Sequence, residues 1–380
     1  MTNHKKQIIL IYPGFPHYRN GVIEALLESD KNTYHFAGDK RGYNEIKPYD
    51  FKDYPHFYDF PSYRIGTFWF NRGLLRFILF KKFDGAIVHS SPYWISIIIA
   101  SIILKIKGIP NYNWAHGVLD NIVNLRSKLY VLFYKSLFKG LLLYGNISKD
   151  NLVRLGYKSE KITVVYNSLD YKAQIGFRGS VNSDQRKQFR ASLFTNPVNS
   201  QLIFIGRLIP EKKLDMLINA AALLKNEQVI VNLLFVGDGP ERENLQQLVK
   251  NKDLESQVCF YGASYDEAAN YQLIYSSDCC VAPGQIGLTA IHSLMYGVPV
   301  ISHNNPNDQG PEFEAIKHLK NGALFQYNDE IDLKNKILEV LQMISAKTPT
   351  EIENDCYEIV DQYYNPEVQR QLIESAFEPK

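Results

Sequence analysis

Arg207 and Lys212 follow closely on the apolar run Gln201–Ile205. A guanidinium and an ammonium held where a buried strand delivers its loop can neutralise a diphosphate that departs with negative charge. The same pair also reads as ordinary charge at a helix start, although cations there oppose the helix dipole and so call for an anion. A second stretch, CCVAPGQIGLTAIHSLMYGVPVISHN, sets Gly284 and Gly287 between an apolar strand at Cys279–Ala282 and a helix expected from about Gly287 to Tyr296. The first turn of that helix would offer unpaired N–H groups to an anion, and the glycines would give a phosphate room to approach. Gly237-Asp238-Gly239 forms a tight turn that carries little functional content by itself. His116 ends a short apolar segment, where a lone histidine is more often structural than functional. Glu312 and Glu314 follow Gly310-Pro311, a turn expected to open a helix. They either favour that helix start or contact a ligand in the same crevice.

These residues need a scaffold of strands whose ends converge. Gln7–Tyr12 is a continuous apolar run ending at Pro13-Gly14, as expected of a parallel strand buried on both faces. A helical stretch at Tyr18–Leu27 follows. Further strands are expected at Gly85–His89 and Pro110–Trp114, with helices at Ile95–Ile106 and Lys128–Phe138. The stretch Tyr43–Tyr63, rich in Tyr and Pro, reads as loop. From Tyr171 to Asn199 the chain turns polar and irregular, and a boundary is expected there. The alternation then restarts, with strands at Gln201–Ile205, Asn232–Val236, Gln257–Tyr261, Cys279–Ala282 and Pro299–Ser302 and helices such as Leu214–Lys225 and Glu241–Lys250. Strands alternating with helices predict doubly wound parallel sheets, here two Rossmann-like halves.

Bulk properties agree. A chain of 380 residues is too long for one ordinary core and suits two. With 45% hydrophobic and 22% charged residues it has a soluble globular composition, and a net charge of +2 gives no case for nucleic-acid binding. Lys105, Lys107, Arg126, Lys128, Lys135 and Lys139 lie close together among apolar residues, either as solvated helix faces or as a surface resting on an anionic membrane. Cys259, Cys279, Cys280 and Cys356 match no zinc spacing and read as reduced thiols of a cytoplasmic protein. The opening residues do not read as a signal peptide, and the apolar run Trp94–Leu104 is too short to span a membrane. No metal site is visible.

The pieces around FIGRLIPEKK, VGDGPE and APGQIGLTAIHSLMYGVP, in that order, resemble the retaining glycosyltransferases of family 4 over about 203–325. WAHG (Trp114–Gly117), ISKDNLVRLGY and VVYNSLD extend the resemblance more weakly into the first half. The resemblance implies a GT-B fold, in which two Rossmann-like doubly wound α/β domains face a central cleft. An acceptor-binding domain would cover 1–175 and a nucleotide-sugar-binding domain 190–360, with a C-terminal helix in 363–380 packing back on the first. It implies that Arg207 and Lys212 hold the donor diphosphate, with Leu288, Thr289 and the glycine loop of Gly287 at the same group. Gly14 would lie near the phosphates and His116 beside the transferred sugar. Members usually carry two glutamates around the third piece, where Gly284 and His292 stand here. The first contacts the donor sugar and the second binds ribose hydroxyls through both oxygens. Gly284 can do neither job with a side chain, and His292 can offer one ring nitrogen. Glu312 or Glu314 would then take over a sugar contact.

The reaction implied is transfer of a sugar from a nucleotide-sugar donor to a hydroxyl of a glycan or lipid-linked acceptor. Configuration would be retained without a metal or other cofactor, in surface-polysaccharide assembly at the cytoplasmic membrane face. Two alternatives stay open on the same fold: a nucleotide-sugar epimerase, and a partner protein that has lost its chemistry.

Overall fold

The computed structural model describes residues 5–43, 47–52, 54–119 and 125–378. They fall into two compact units, Met1–Asp170 with Asn365–Lys380, and Tyr171–Tyr364.

Unit 1 contains strands β1 (Lys6–Ile11), β2 (Asn32–Gly38), β3 (Phe57–Asp59), β4 (Ser62–Ile65), β5 (Phe68–Asn71), β6 (Gly85–Val88), β7 (Asn111–Ala115), β8 (Gly140–Leu143) and β9 (Ile162–Val164). Seven of them form a parallel sheet in the order β3-β2-β1-β6-β7-β8-β9, while β4 and β5 make an antiparallel hairpin. Helices α1 (Asn20–Leu27), α2 (Leu74–Phe80), α3 (Ile95–Ile106), α4 (Leu125–Leu137) and α5 (Asn146–Arg154) cover it. The unbroken apolar run of β1 follows from this layering. Ile9 and Ile11 pack with Ile78 of α2 and Ile97 and Leu104 of α3, whereas Ile8 and Leu10 point to the opposite core with Val22, Ile23 and Leu26 of α1. Each fully buried side chain of this kind stabilises the unit by about 1.5–3 kcal/mol.

Unit 2 holds β10 (Ser200–Ile205), β11 (Val231–Val236), β12 (Val258–Gly262), β13 (Cys279–Ala282), β14 (Val300–His303) and β15 (Gly322–Phe325). Its parallel sheet runs β12-β11-β10-β13-β14-β15. The helices are α6 (Tyr171–Ile175), α7 (Ser183–Leu193), α8 (Leu214–Asn226), α9 (Arg242–Asn251), α10 (Glu267–Tyr275), α11 (Thr289–Met295), α12 (Glu330–Ser345) and α13 (Pro349–Gln362). Winding reverses between β10 and β13, which opens a crevice at their carboxyl ends where ligands of such sheets bind. The chain then returns to unit 1 through α14 (Pro366–Ser375), whose Ile373 joins the core of Ile8 and Leu10.

Three stretches differ from the sequence expectation. The polar segment 171–199 is largely helical: Asn182 and Gln185 form a reciprocal capping box that starts α7, and α7 buries none of its residues. The aromatic stretch 43–63 contains β3 and the start of β4, although residues 44–46 and 53 lie outside the described residues. After Pro311 the chain makes a short 3-10 turn, Pro311–Ala315, rather than a helix.

Candidate functional site

At the reversal point of unit 2, backbone rather than side chains fills the space between loops. A Cβ on Gly237 would stand 1.8 Å from the Gly206 carbonyl oxygen, and one on Gly239 would stand 2.3 Å from that of Leu208. The Gly-Asp-Gly turn therefore exists to let the β11 loop press against the β10 loop. Arg207 emerges from that loop exposed to solvent, and its side chain makes no hydrogen bond or ion pair among the described residues. Lys212 behaves differently. Its Nζ donates to the Gln285 carbonyl, while the Gly284 N–H donates to the Lys212 carbonyl at 3.0 Å. Burial pushes the Lys212 pKa down. Lys212 thus ties the β10 loop to the β13 loop, and Arg207 is left as the unpaired cation.

Gly284 is confined by the same contact: a Cβ there would lie 2.0 Å from the Glu211 carbonyl oxygen. Gly287, by contrast, has φ +57° with open space beside it. The amides of Gly287, Leu288 and Thr289 have no acceptor among the described residues, so three N–H groups remain available where α11 begins. The Thr289 hydroxyl donates to the Ile205 carbonyl at 3.2 Å, which fixes this turn over the end of β10. Gln309 holds the loop from the other side: its Oε1 accepts from the Ile286 N–H, and its Nε2 donates to Ser302 Oγ and the His303 carbonyl. Glu312 is buried beside it. Its Oε2 and the Gly287 Cα both crowd the open face of Gly310, at 2.6 and 3.2 Å from a notional Cβ. Glu314 is half-buried.

His292 lies one turn further along α11, and its Nε2 is engaged within the protein. It bonds to Glu267 Oε1 at 2.7 Å. The Tyr296 hydroxyl and Gln174 Nε2 donate to the same oxygen. Burial alone would raise the Glu267 pKa, but these donors and the His292 charge hold it at about 2, so the carboxylate is ionised at neutral pH.

In unit 1, Gly14 follows β1, and a Cβ there would meet the Gly42 Cα at 2.9 Å, so the two loops touch through backbone. His116 stands at the end of β7 against the Tyr144 ring. It lines a cavity of about 470 Å³ together with His89, Ser90 and Tyr134. Beneath lies a group that sequence reasoning missed. The Arg19 guanidinium bonds to the hydroxyls of Tyr12 and Tyr144 and sits 5.0–5.5 Å from the ring centres of Tyr12, Trp114 and Tyr144. Arg19 has no carboxylate partner among the described residues. Burial and this cation push both His89 and His116 down to about 4, so both are neutral at pH 7. No local motif marks Arg19, Tyr12, His89 or Tyr144. Only the pairing of β1, β6, β7 and β8 assembles them.

Two doubly wound parallel sheets, one with a glycine-lined, cation-bearing reversal point, give the chain a GT-B fold. Residues 185–355 match the family model described as "Glycosyl transferases group 1". It is 25% identical over 293 residues to the alpha-monoglucosyldiacylglycerol synthase of Streptococcus pneumoniae, covering 73% of this chain and 64% of that one. It is 26% identical over 140 residues to the poly(ribitol-phosphate) alpha-N-acetylglucosaminyltransferase of Staphylococcus aureus, covering 36% and 27%. The chain therefore spans less than two thirds of the length of these curated relatives. The crystal structure of Anabaena HepE in complex with UDP superposes with a TM-score of 0.71 at 18% identity, over 97% of this chain and 99% of that one. That likeness is one of fold.

Proposed function

We propose that the chain transfers a hexose-type sugar from a nucleotide-sugar donor to a hydroxyl of a glycan or lipid-linked acceptor, with unit 2 holding the donor and unit 1 the acceptor. The observation that carries this is the unpaired Arg207 guanidinium at the same sheet edge as three unpaired amides, Gly287 to Thr289. An anion placed there gains charge-assisted hydrogen bonds at a helix start, as a departing diphosphate requires. Support for a uridine nucleotide comes from the UDP in HepE. In the retaining reaction that the family implies, the bond from the anomeric carbon to the diphosphate oxygen breaks and the acceptor oxygen bonds to that carbon. The acceptor proton passes to the leaving phosphate.

A membrane-borne acceptor is supported by one face of unit 1. Helix α3 exposes Ile99, Ile102 and Ile106, and α4 exposes Leu125, Leu129 and Leu132 with Lys128 and Lys135 among them. An apolar cleft lined by Ile98, Leu129 and Phe133 lies between these helices. Among the described residues no helix is long and apolar enough to cross a membrane. Peripheral docking on an anionic cytoplasmic leaflet fits that surface. Not every basic residue of this region serves it: Lys107 Nζ donates to the Ile78 carbonyl at the end of α2, Lys105 reaches the Ser136 carbonyl, and the Arg126 side chain lies outside the described residues. The name of the pneumococcal relative, a glucosyldiacylglycerol synthase, is consistent with a lipid acceptor. Assembly of a surface polysaccharide is the setting proposed.

The test is calorimetric titration of the wild type and Arg207→Ala with UDP, GDP and ADP, followed by product analysis with the matching nucleotide sugar. Transfer needs one diphosphate to bind, the variant to lose it, and sugar to reach an added acceptor. Conversion of the donor alone indicates an epimerase, and absence of all nucleotide binding indicates a non-catalytic chain.

A further inference from the structure

Glu267 opens α10 just after the loop that leaves β12, so it stands at the same sheet edge as Arg207 and Gly287. Its three donors all converge on one oxygen: His292 Nε2 at 2.7 Å, the Tyr296 hydroxyl at 2.5 Å and Gln174 Nε2 at 3.1 Å reach Oε1. Oε2 has no hydrogen-bond partner among the described residues, and the side chain is 36% exposed. An ionised carboxylate has about four acceptor sites over its two oxygens, and those of Oε2 are left open. Here the group is ionised and fixed in orientation, with one oxygen left to donors from outside the protein.

The place of Oε2 narrows what those donors are. His292 donates its backbone N–H to the Leu288 carbonyl at 3.0 Å, one helical turn, or about 5 Å, from the unpaired amides. A ligand anion on those amides and Arg207 therefore has Glu267 as its next neighbour along α11. The carboxylate repels the anion itself and attracts a neutral, hydroxyl-bearing part of the same molecule. In a nucleoside diphosphate that part is the ribose, whose vicinal hydroxyls suit a single exposed carboxylate edge.

We propose that Glu267 binds the ribose hydroxyls of the bound nucleoside diphosphate through Oε2, with His292 and Tyr296 as positioning residues that hold Oε1. The proposal rests on the reading of unit 2 as the donor site. Its test compares a nucleoside diphosphate bound by the wild type with its 2′,3′-dideoxy form, each titrated into the wild type and Glu267→Gln. Removing the hydroxyls or the charge should each weaken binding about 10- to 100-fold, as for hydrogen bonds to a charged group. The two losses should not multiply, because E267Q should bind ribose and dideoxyribose forms nearly alike. Equal affinity of the wild type for both ligands overturns the proposal without any variant, and so does full multiplication of the two losses. Binding that Arg207→Ala abolishes and Glu267→Gln leaves unchanged overturns it alone. If the wild type binds none of UDP, GDP and ADP, the donor-site reading fails and this proposal with it.

Discussion

The carbonyl oxygen of Glu211 occupies the space into which any side chain at Gly284 would project, 2.0 Å from a notional Cβ. The absence of a glutamate at this position is therefore built into the backbone packing of two loops. Restoring one by Gly284→Glu should push the Lys212 turn away and cost about 1–3 kcal/mol through overpacking. Urea denaturation and nucleotide calorimetry check this together. A variant as stable as the wild type with unimpaired binding would mean that the two loops do not touch.

Arg207 and Lys212 should separate cleanly. Arg207→Ala should leave the unfolding midpoint unchanged, within about 0.5 kcal/mol for an exposed side chain without partners, and lower nucleoside diphosphate affinity about 10- to 100-fold. Lys212→Ala should lose both stability and affinity, since its Nζ also bridges to the Gln285 carbonyl. Paired denaturation and titration curves for the two variants decide it.

Acid should weaken the fold in two windows. His35, His89, His116 and His303 are each held down to about 4, with burial the largest cause. The unfolded chain binds protons that the native state refuses, so stability present above about pH 6.5 is lost as pH falls towards 4. For His303, whose side chain is fully buried, a displacement of this size is worth at most about 3 kcal/mol. His116, whose ring packs on Tyr144 while much of its surface stays in solvent, contributes less. Glu267, held at about 2, keeps its contribution until lower pH and loses it between its unfolded value and about 2. Urea midpoints measured from neutral pH downwards should show the histidine decline first, and a flat profile would contradict it.

Replacing the half-buried Arg19 cation should retune its neighbours. Arg19→Met removes a charge that lowers the pKa of both His89 and His116, so both should rise. Neither should reach the free-histidine value, because burial is the larger cause. Proton NMR titration of the imidazoles reads the shift directly, and unchanged values would show that Arg19 does not face them.

The apolar face of α4 should matter only when lipid is present. Leu129→Asp with Leu132→Asp should reduce flotation with anionic phospholipid vesicles at least about tenfold, since two apolar side chains lose their insertion energy. Nucleotide affinity should be untouched. Undiminished flotation would leave this surface without a membrane role.

Much of the sheet was legible because burial on both faces leaves an unbroken mark. Ile8–Ile11 and Cys279–Ala282 read as strands since every residue in them meets a core. Helix α7 was misread because it buries nothing, and its one clear signal was the spacing of Asn182 and Gln185 rather than any apolar stripe. β3 lies at a sheet edge and β4 in a separate hairpin, and neither carries the fully buried pattern that marks a central strand. At the site, Arg207 and the glycine loop follow strands directly, so their type and place could be read together. Glu267 could not, since its meaning depends on His292 and Tyr296, which approach it only after α10 and α11 have packed side by side. Arg19 was hidden for the same reason, as its three aromatic neighbours come from different strand ends.

Helix α14 follows unit 2 in the chain yet completes a core begun by β1. Ile373 packs with Ile8 and Leu10, Glu374 accepts from the Ser29 hydroxyl at 2.6 Å, and Gln369 joins Ser168 to the Tyr166 carbonyl. During vectorial synthesis α1 can already cover the flank of Ile8 and Leu10, but the contacts of Ile373 and Glu374 arrive only after all of unit 2 has emerged, so unit 2 holds its full set of chain-local contacts before unit 1 does.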